Sequence, residues 1–126
     1  MELPTNAANW FEIPATDFDR AQAFYNAIFD YEMPIMEMGP VRMGILPYKQ
    51  GEGVGGGICC GEGYVPNPDG AKIYLNGGED LSNVLARVEP AGGKVVMPKT
   101  EIGEGYGFMA FFVDSEGNTL GLHSNQ

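Results

Sequence analysis

The sequence predicts an α+β fold built from two copies of one strand–helix–three-strand (βαβββ) module. A helix-start signal at residues 16–18 recurs about half a chain later at residues 79–81, in each case around an aspartate. An apolar stretch precedes each signal, and a helical apolar stripe and strand-like segments follow it. Such repetition indicates internal duplication. Because two copies of a small module tend to leave a cleft between them, we expect a site there.

The first module reads as one strand, one helix and three further strands. Apolar residues at 10–13 predict the first strand, and Asp17 begins a helix that ends near Asp30. Between Phe18 and Ile28, apolar residues recur at helical spacing. A Gly-Pro turn and a glycine-rich loop separate the strands that follow. These strands are predicted at 31–38, 41–48 and 54–60.

The second module repeats this order. A strand at 73–75 precedes Asp80, and the helix that begins there ends before Pro90. Strands are predicted at 94–97, 108–113 and 119–123. Residues 63–70, rich in proline and glycine, read as a linker. We therefore expect a single domain, 1–126, with module one at about 7–62 and module two at about 71–124.

Composition and charge restrict the partners of this chain. With 126 residues and 44% hydrophobic residues the chain can bury a core, and no apolar stretch approaches a membrane span. The N-terminal residues lack the basic and apolar segments of a secretory signal, so we expect a cytoplasmic protein. A formal charge of −10, with seven scattered Lys and Arg, argues against nucleic acid and anionic membranes as partners. A cationic ligand would be tolerated.

Three segments resemble a known superfamily. They are residues 9–14, residues 17–25 and the C-terminal residues 114–124. Together they are similar to the vicinal oxygen chelate superfamily of glyoxalases, bleomycin-resistance proteins and extradiol dioxygenases. The resemblance implies two βαβββ modules that pair through their first strands and form a curved mixed sheet around a cup. Its enzymes hold a divalent metal there through His, Gln or Glu from the first and last strands of both modules.

The four ligand positions implied by the resemblance carry no usable ligand in this chain. They fall at Trp10, at about Ile58, at Ile73 (or Lys72 if the second module has one extra residue) and at Gly121. An indole, an aliphatic side chain and a glycine offer no donor to a hard divalent ion. We therefore predict no metal and no cofactor.

The same resemblance suggests which residues line the cup. Strand alternation places Glu12 on the face that carries Trp10, and His123 on the face that carries Gly121. Each has an ordinary alternative, because the single tryptophan is often core, a strand glutamate often faces solvent, and a terminal histidine is often only packed. The predicted ligand-binding residues are Trp10, Glu12, Ile58, Ile73, Gly121 and His123.

The sequence contains two cysteines. Cys59 and Cys60 are adjacent, which disfavours a disulfide between them and leaves each as a buried hydrophobic residue or a reactive thiol.

We predict a superfamily member that binds or sequesters a small organic ligand, partly aromatic or cationic, without a metal. The alternatives are a metal-dependent lyase, isomerase or dioxygenase and an assembly domain with a filled cup. Apolar, methionine-rich strands favour a homodimer, with modules paired within one chain or exchanged between two.

Overall fold

The computed structural model describes residues 2–126 and has the predicted order of elements. The first half comprises β1 (Trp10–Pro14), α1 (Phe18–Phe29), β2 (Ile35–Met38), β3 (Val41–Ile45) and β4 (Gly55–Cys60). The second half comprises β5 (Tyr74–Asn76), α2 (Ser82–Val88), β6 (Lys94–Glu101), β7 (Phe108–Val113) and β8 (Thr119–Ser124). Neither helix within the described part of the chain has the length and apolar character needed to cross a membrane.

The start of β2 and the end of β3 differ from the sequence prediction for local reasons. Residues 31–34 close α1 instead of extending β2, because the backbone N–H of Tyr31 donates to the Asn26 carbonyl and that of Met33 donates to the Asn26 side chain. The strand β3 ends at Ile45, two residues before Pro47, whose ring nitrogen cannot donate to a sheet.

The strands form two four-stranded mixed sheets with the same topology. Their orders are β1-β4-β3-β2 and β5-β8-β7-β6. In each sheet the first strand of the module lies at one edge and runs parallel to the last strand of that module. Within residues 2–126 no backbone ladder joins β1 to β5, so the expected pairing through first strands does not occur through hydrogen bonds within one chain. Side chains such as Phe11 and Ile73 line a cavity at this boundary instead.

Both helices cover one face of the sheets and share a single core. Asp17 caps α1 by accepting a hydrogen bond from the backbone N–H of Arg20, and Asp30 ends the helix with a left-handed backbone, φ 49°. The buried residues of α1 are Phe18, Ala21, Phe24, Tyr25 and Ile28, as its apolar spacing predicts. From α2, Val84 and Val88 join the same core. Burial of each large apolar side chain contributes about 1.5–3 kcal/mol to folding.

Alternation along the strands defines a second face, away from the helices, which we call the open face. In β1, Ile13 is buried in the core while Trp10 and Glu12 are exposed. In β8, Leu122 lies in the core, so the alternate residues of that strand face the other way. The open face carries Trp10, Glu12, Met36, Met38, Met43, Gly55, Gly57, Cys59, Tyr74, Asn76, Phe111, Gly121 and His123.

Candidate functional site

On the first sheet, one aromatic ring covers a glycine of the open face and contacts a second ring. Trp10 of β1 is the direct partner of Gly55 in β4. The indole of Trp10, which is 38% exposed, meets the ring of Tyr48 edge to face, with ring centroids 6.1 Å apart. A Cβ atom placed on Gly55 would lie 2.5 Å from the Tyr48 ring. This ring therefore occupies the space that any side chain at position 55 would need.

The second sheet repeats this arrangement at the equivalent position. Tyr74 of β5 is the direct partner of Gly121 in β8, and a Cβ atom on Gly121 would lie 2.6 Å from the Tyr74 ring. Tyr74 is 48% exposed and its ring centroid is 5.6 Å from that of Phe111. Each sheet thus presents a partly exposed ring of its first strand, a second ring, and a glycine of its last strand that a ring covers.

Two of the predicted site residues lie elsewhere than expected. Ile58 is fully buried, pairs with Ile13 and belongs to the core, so it does not line the open face. Ile73 is half-buried and precedes β5, where it lines the cavities between the modules, and Tyr74 takes the place opposite Gly121. Each position differs by one residue from the one that faces the open side, and one residue along a strand reverses the face of the side chain.

Glu12 belongs to a small polar cluster that the sequence did not reveal. The Tyr64 hydroxyl, from the segment between the modules, donates to Glu12 Oε1 at 2.7 Å. That hydrogen bond, together with burial, raises the pKa of Tyr64 to about 12. Burial, followed by the charge of Glu12, raises the pKa of the neighbouring Cys59 thiol to about 12. Both groups stay protonated near neutral pH, so Cys59 is not an activated nucleophile.

His123 lies at the other end of the site, beside Asn76. The two residues are direct partners in the β5–β8 ladder, and His123 Nε2 is 2.7 Å from the carbonyl oxygen of Tyr106. A cavity of about 320 Å³ is lined by Tyr74, Asn76 and His123. A second cavity of about 220 Å³ includes Glu12, and a third of about 270 Å³ lies between β1, β4 and β5. The predicted site residues other than Ile58 therefore border the open face or these cavities.

The donors on the open face do not fit a divalent metal. Glu12 is bound by Tyr64, and His123 Nε2 faces a backbone carbonyl. Among residues 2–126, no three His, Cys, Asp or Glu side chains are grouped so that they could hold an ion. The metal sites of proteins use three or more such ligands. That the protein binds no metal stays a prediction, which metal analysis of the purified protein tests.

Comparison with known proteins decides the family. No protein-family model matches this sequence. A glyoxylase-like domain-containing protein of Didymella fabae is 33% identical over 113 residues, which cover 86% of this chain and 85% of that protein. The chain belongs to the glyoxalase-like proteins of the vicinal oxygen chelate superfamily. A candidate glyoxylase of Mycobacterium bovis, CFP32, is 30% identical over 129 residues and 96% of this chain. The chain spans only 46% of that relative.

Several solved structures share the fold of this chain. Glyoxalase I from Zea mays matches 92% of this chain and 45% of its own, with a TM-score of 0.70 and 17% identity. The fosfomycin resistance protein FosX of Listeria monocytogenes, solved with Mn(II) and sulfate, matches 98% of this chain and 93% of its own (TM-score 0.66, 16% identity). TnmS3, an antibiotic-binding protein of Streptomyces, matches 99% and 100% (TM-score 0.61, 19% identity). These likenesses confirm the predicted fold class.

Proposed function

We propose that this chain is a small-molecule-binding member of the superfamily that binds or sequesters an aromatic, cationic organic ligand on the open face without a metal. The observation that carries the proposal is the repeated pairing of an aromatic residue with a glycine. Trp10 faces Gly55 in one sheet, and Tyr74 faces Gly121 in the other. In both sheets a ring lies over the glycine.

These rings support binding of a planar ligand in preference to chelation. Aromatic side chains offer flat apolar surfaces on which another ring can stack, at about 0.5–1.5 kcal/mol per pair beyond area burial. Of the four implied ligand positions, position 121 carries a glycine, and the ring of Tyr74 lies where a side chain at this position would begin. The rings thus favour stacking, and a glycine at position 121 offers no donor to a metal ion.

Charge supports a cationic ligand. Glu12 lies two residues from Trp10 on the open face, and no basic side chain within residues 2–126 forms an ion pair with it. The basic residues with assigned contacts bind elsewhere: Arg20, Arg42 and Lys99 to other carboxylates, Lys72 and Arg87 to backbone carbonyls. A cation above Trp10 would gain both ring and carboxylate attraction. The net charge of −10 would also attract it over longer distances.

A second copy of the chain would give the open face the cover that a binding cup needs. Met36 and Met38 of β2 are 48% and 51% exposed on this face, although both are apolar. Exposed apolar patches on a sheet often mark contact surfaces. We therefore retain the homodimer as part of the proposal, and light scattering of the purified protein measures it directly.

Trp10 is the only tryptophan, so its fluorescence reports on the proposed site directly. Titration with an aromatic cation such as N-methylquinolinium is expected to quench Trp10, and neutral quinoline to quench it only at higher concentration. Glu12→Gln should remove most of this preference for the cation. Glu32→Gln, which makes the same charge change at an exposed position, should leave the preference intact.

Metal analysis provides the opposing test. The purified protein is expected to contain no stoichiometric transition metal and to bind Ni²⁺, Fe²⁺ or Mn²⁺ only weakly in calorimetry. One ion per chain held at micromolar affinity would contradict the proposal and favour the metal-dependent lyase, isomerase or dioxygenase instead. Equal quenching by the cation and by neutral quinoline would reject only the role of Glu12 in selecting a cation.

A further inference from the structure

Asn76 and His123 form a matched pair of polar side chains at the end of the open face. They are direct partners on β5 and β8, two residues beyond Tyr74 and Gly121. Both residues line the cavity of about 320 Å³ that also includes Tyr74. Adjacent strands lie about 4.8 Å apart, so two side chains on one face can reach a single small group.

The carbonyl of Tyr106 determines which nitrogen of His123 carries the proton. Nε2 lies 2.7 Å from this carbonyl oxygen, which can only accept a hydrogen bond. Nε2 must therefore be the N–H donor. When the ring is neutral, Nδ1 then has a free lone pair and acts as an acceptor.

The backbone of Gly78 determines the orientation of Asn76 in the same way. The N–H of Gly78 donates to Asn76 Oδ1 at 2.9 Å, and an N–H cannot accept, so the amide oxygen must face it. The Nδ2 group is left as the free end of the side chain. Among residues 2–126, the N–H of Gly78 is the only hydrogen-bond partner found for the Asn76 side chain. Asn76 therefore offers a donor on the residue that is paired with His123.

We propose that Asn76 and His123 form a two-point recognition site for a planar group with a neighbouring acceptor and donor, such as a primary carboxamide, a lactam or a 2-amino-substituted nitrogen heterocycle. Asn76 Nδ2 donates to the acceptor of the ligand, and the N–H of the ligand donates to His123 Nδ1. The Tyr74 ring packs beside the attached ring system. This inference rests on the proposed function, since it names the polar group of a ligand bound on the same face.

Benzamide is the probe because it joins a primary carboxamide to one aromatic ring. The chain contains a single histidine, so the side-chain nitrogen resonances of His123 are unambiguous. In the neutral ring we expect Nε2 to carry the proton and benzamide to shift the Nδ1 resonance. N,N-dimethylbenzamide, which lacks the N–H, should bind about tenfold more weakly.

The variant Asn76→Asp tests the proposed donor directly. Its carboxylate can still accept from Gly78, so the turn is retained, but an acceptor replaces the free donor. Benzamide affinity should fall about tenfold, while benzamidine, which offers two donors, should gain relative to wild type. Asn83→Asp makes the same charge change on the exposed side of α2 and should alter neither affinity.

Three results would overturn the proposal. The first is a neutral His123 with its proton on Nδ1, and the second is equal binding of benzamide and N,N-dimethylbenzamide. The third is a preference between benzamide and benzamidine that is the same in Asn76→Asp as in wild type. Quenching of Trp10 by the aromatic cation is read separately. If that quenching persists while benzamide fails, the two-point site is wrong and the proposed function stands. If the cation also fails to quench Trp10, the proposed function is wrong as well.

Discussion

Arg20 of α1 and Glu116 of the β7–β8 turn join the two modules. Arg20 Nε lies 2.6 Å from Glu116 Oε2, and the Glu116 side chain is only 1% exposed. Glu116 Oε1 also accepts the backbone N–H groups of Thr16 and Asp17 at 2.9 and 2.8 Å. A carboxylate of the second module thus accepts hydrogen bonds from backbone N–H groups at the start of the first module's helix. Unpaired N–H groups at a helix N-terminus favour negative charge.

Glu116→Gln is expected to destabilise the protein by about 1–3 kcal/mol, because a neutral amide cannot replace the carboxylate in a buried set of N–H donors. Urea unfolding of both proteins measures the free energy of unfolding. Asp19→Asn is the matched control, since Asp19 is an exposed carboxylate on the same helix that also faces an arginine. Its Oδ1 lies 3.7 Å from Arg42 Nη1. Its cost should stay within about 0.5 kcal/mol. Equal costs for the two variants would show that Glu116 does not hold the modules.

The same carboxylate makes stability depend on pH. Burial by itself raises the pKa of Glu116, but hydrogen bonds from Arg20, Asp17, Ser115 and Thr16 lower it, and the net direction is below the usual 4.5. A group whose pKa is lowered on folding stabilises the protein above its unfolded value. That contribution is lost as the pH falls through the folded value. The free energy of unfolding should therefore decrease below about pH 4.5.

Glu116→Gln separates this effect from the other acidic residues. The pKa of Asp80 is lowered to about 2, first by its hydrogen bond with Lys99, so part of the acid sensitivity should remain in the variant. Unfolding measured from pH 3 to pH 6, about the window set by these shifts, should give a shallower slope for Glu116→Gln than for wild type. Identical slopes would assign the acid sensitivity to other groups.

The sequence predicted what depends on local pattern and missed what depends on register and loop path. Asp17 and the apolar spacing of α1 were sufficient to place a helix, because capping and periodicity act within a few residues. The face of Ile58 was not predictable in this way, since one residue of register reverses it. Tyr48 and Tyr64 reach the site from irregular segments, and no periodicity marks such residues.

Cys59 should resist thiol reagents in the folded protein. It is fully buried, and its pKa of about 12 leaves almost no thiolate at pH 8. In Cys60→Ser, the remaining thiol is expected to react with Ellman's reagent only after denaturation. In Cys59→Ser, the half-buried Cys60 should react faster in the native state. Rapid native reaction of Cys60→Ser would show that the cluster with Glu12 and Tyr64 opens readily.

Substitution of Gly121 tests whether the ring above it matters for binding. In Gly121→Ala the new Cβ would meet the Tyr74 ring at 2.6 Å, and this ring, 48% exposed, can swing into solvent. Gly93→Ala is the contrast, because its Cβ would lie 2.6 Å from the Val113 carbonyl and 2.7 Å from the packed ring of Phe24.

We therefore expect Gly121→Ala to lower the free energy of unfolding by less than about 1 kcal/mol, and Gly93→Ala to lower it by about 1–3 kcal/mol, as overpacking does. Affinity for the aromatic cation should fall more in Gly121→Ala than in Gly93→Ala, because only Gly121→Ala displaces a ring of the open face. Calorimetry of both variants compares the affinities, and chemical denaturation compares the stabilities. If Gly121→Ala binds the cation as wild type does, the Tyr74 ring takes no part in ligand stacking.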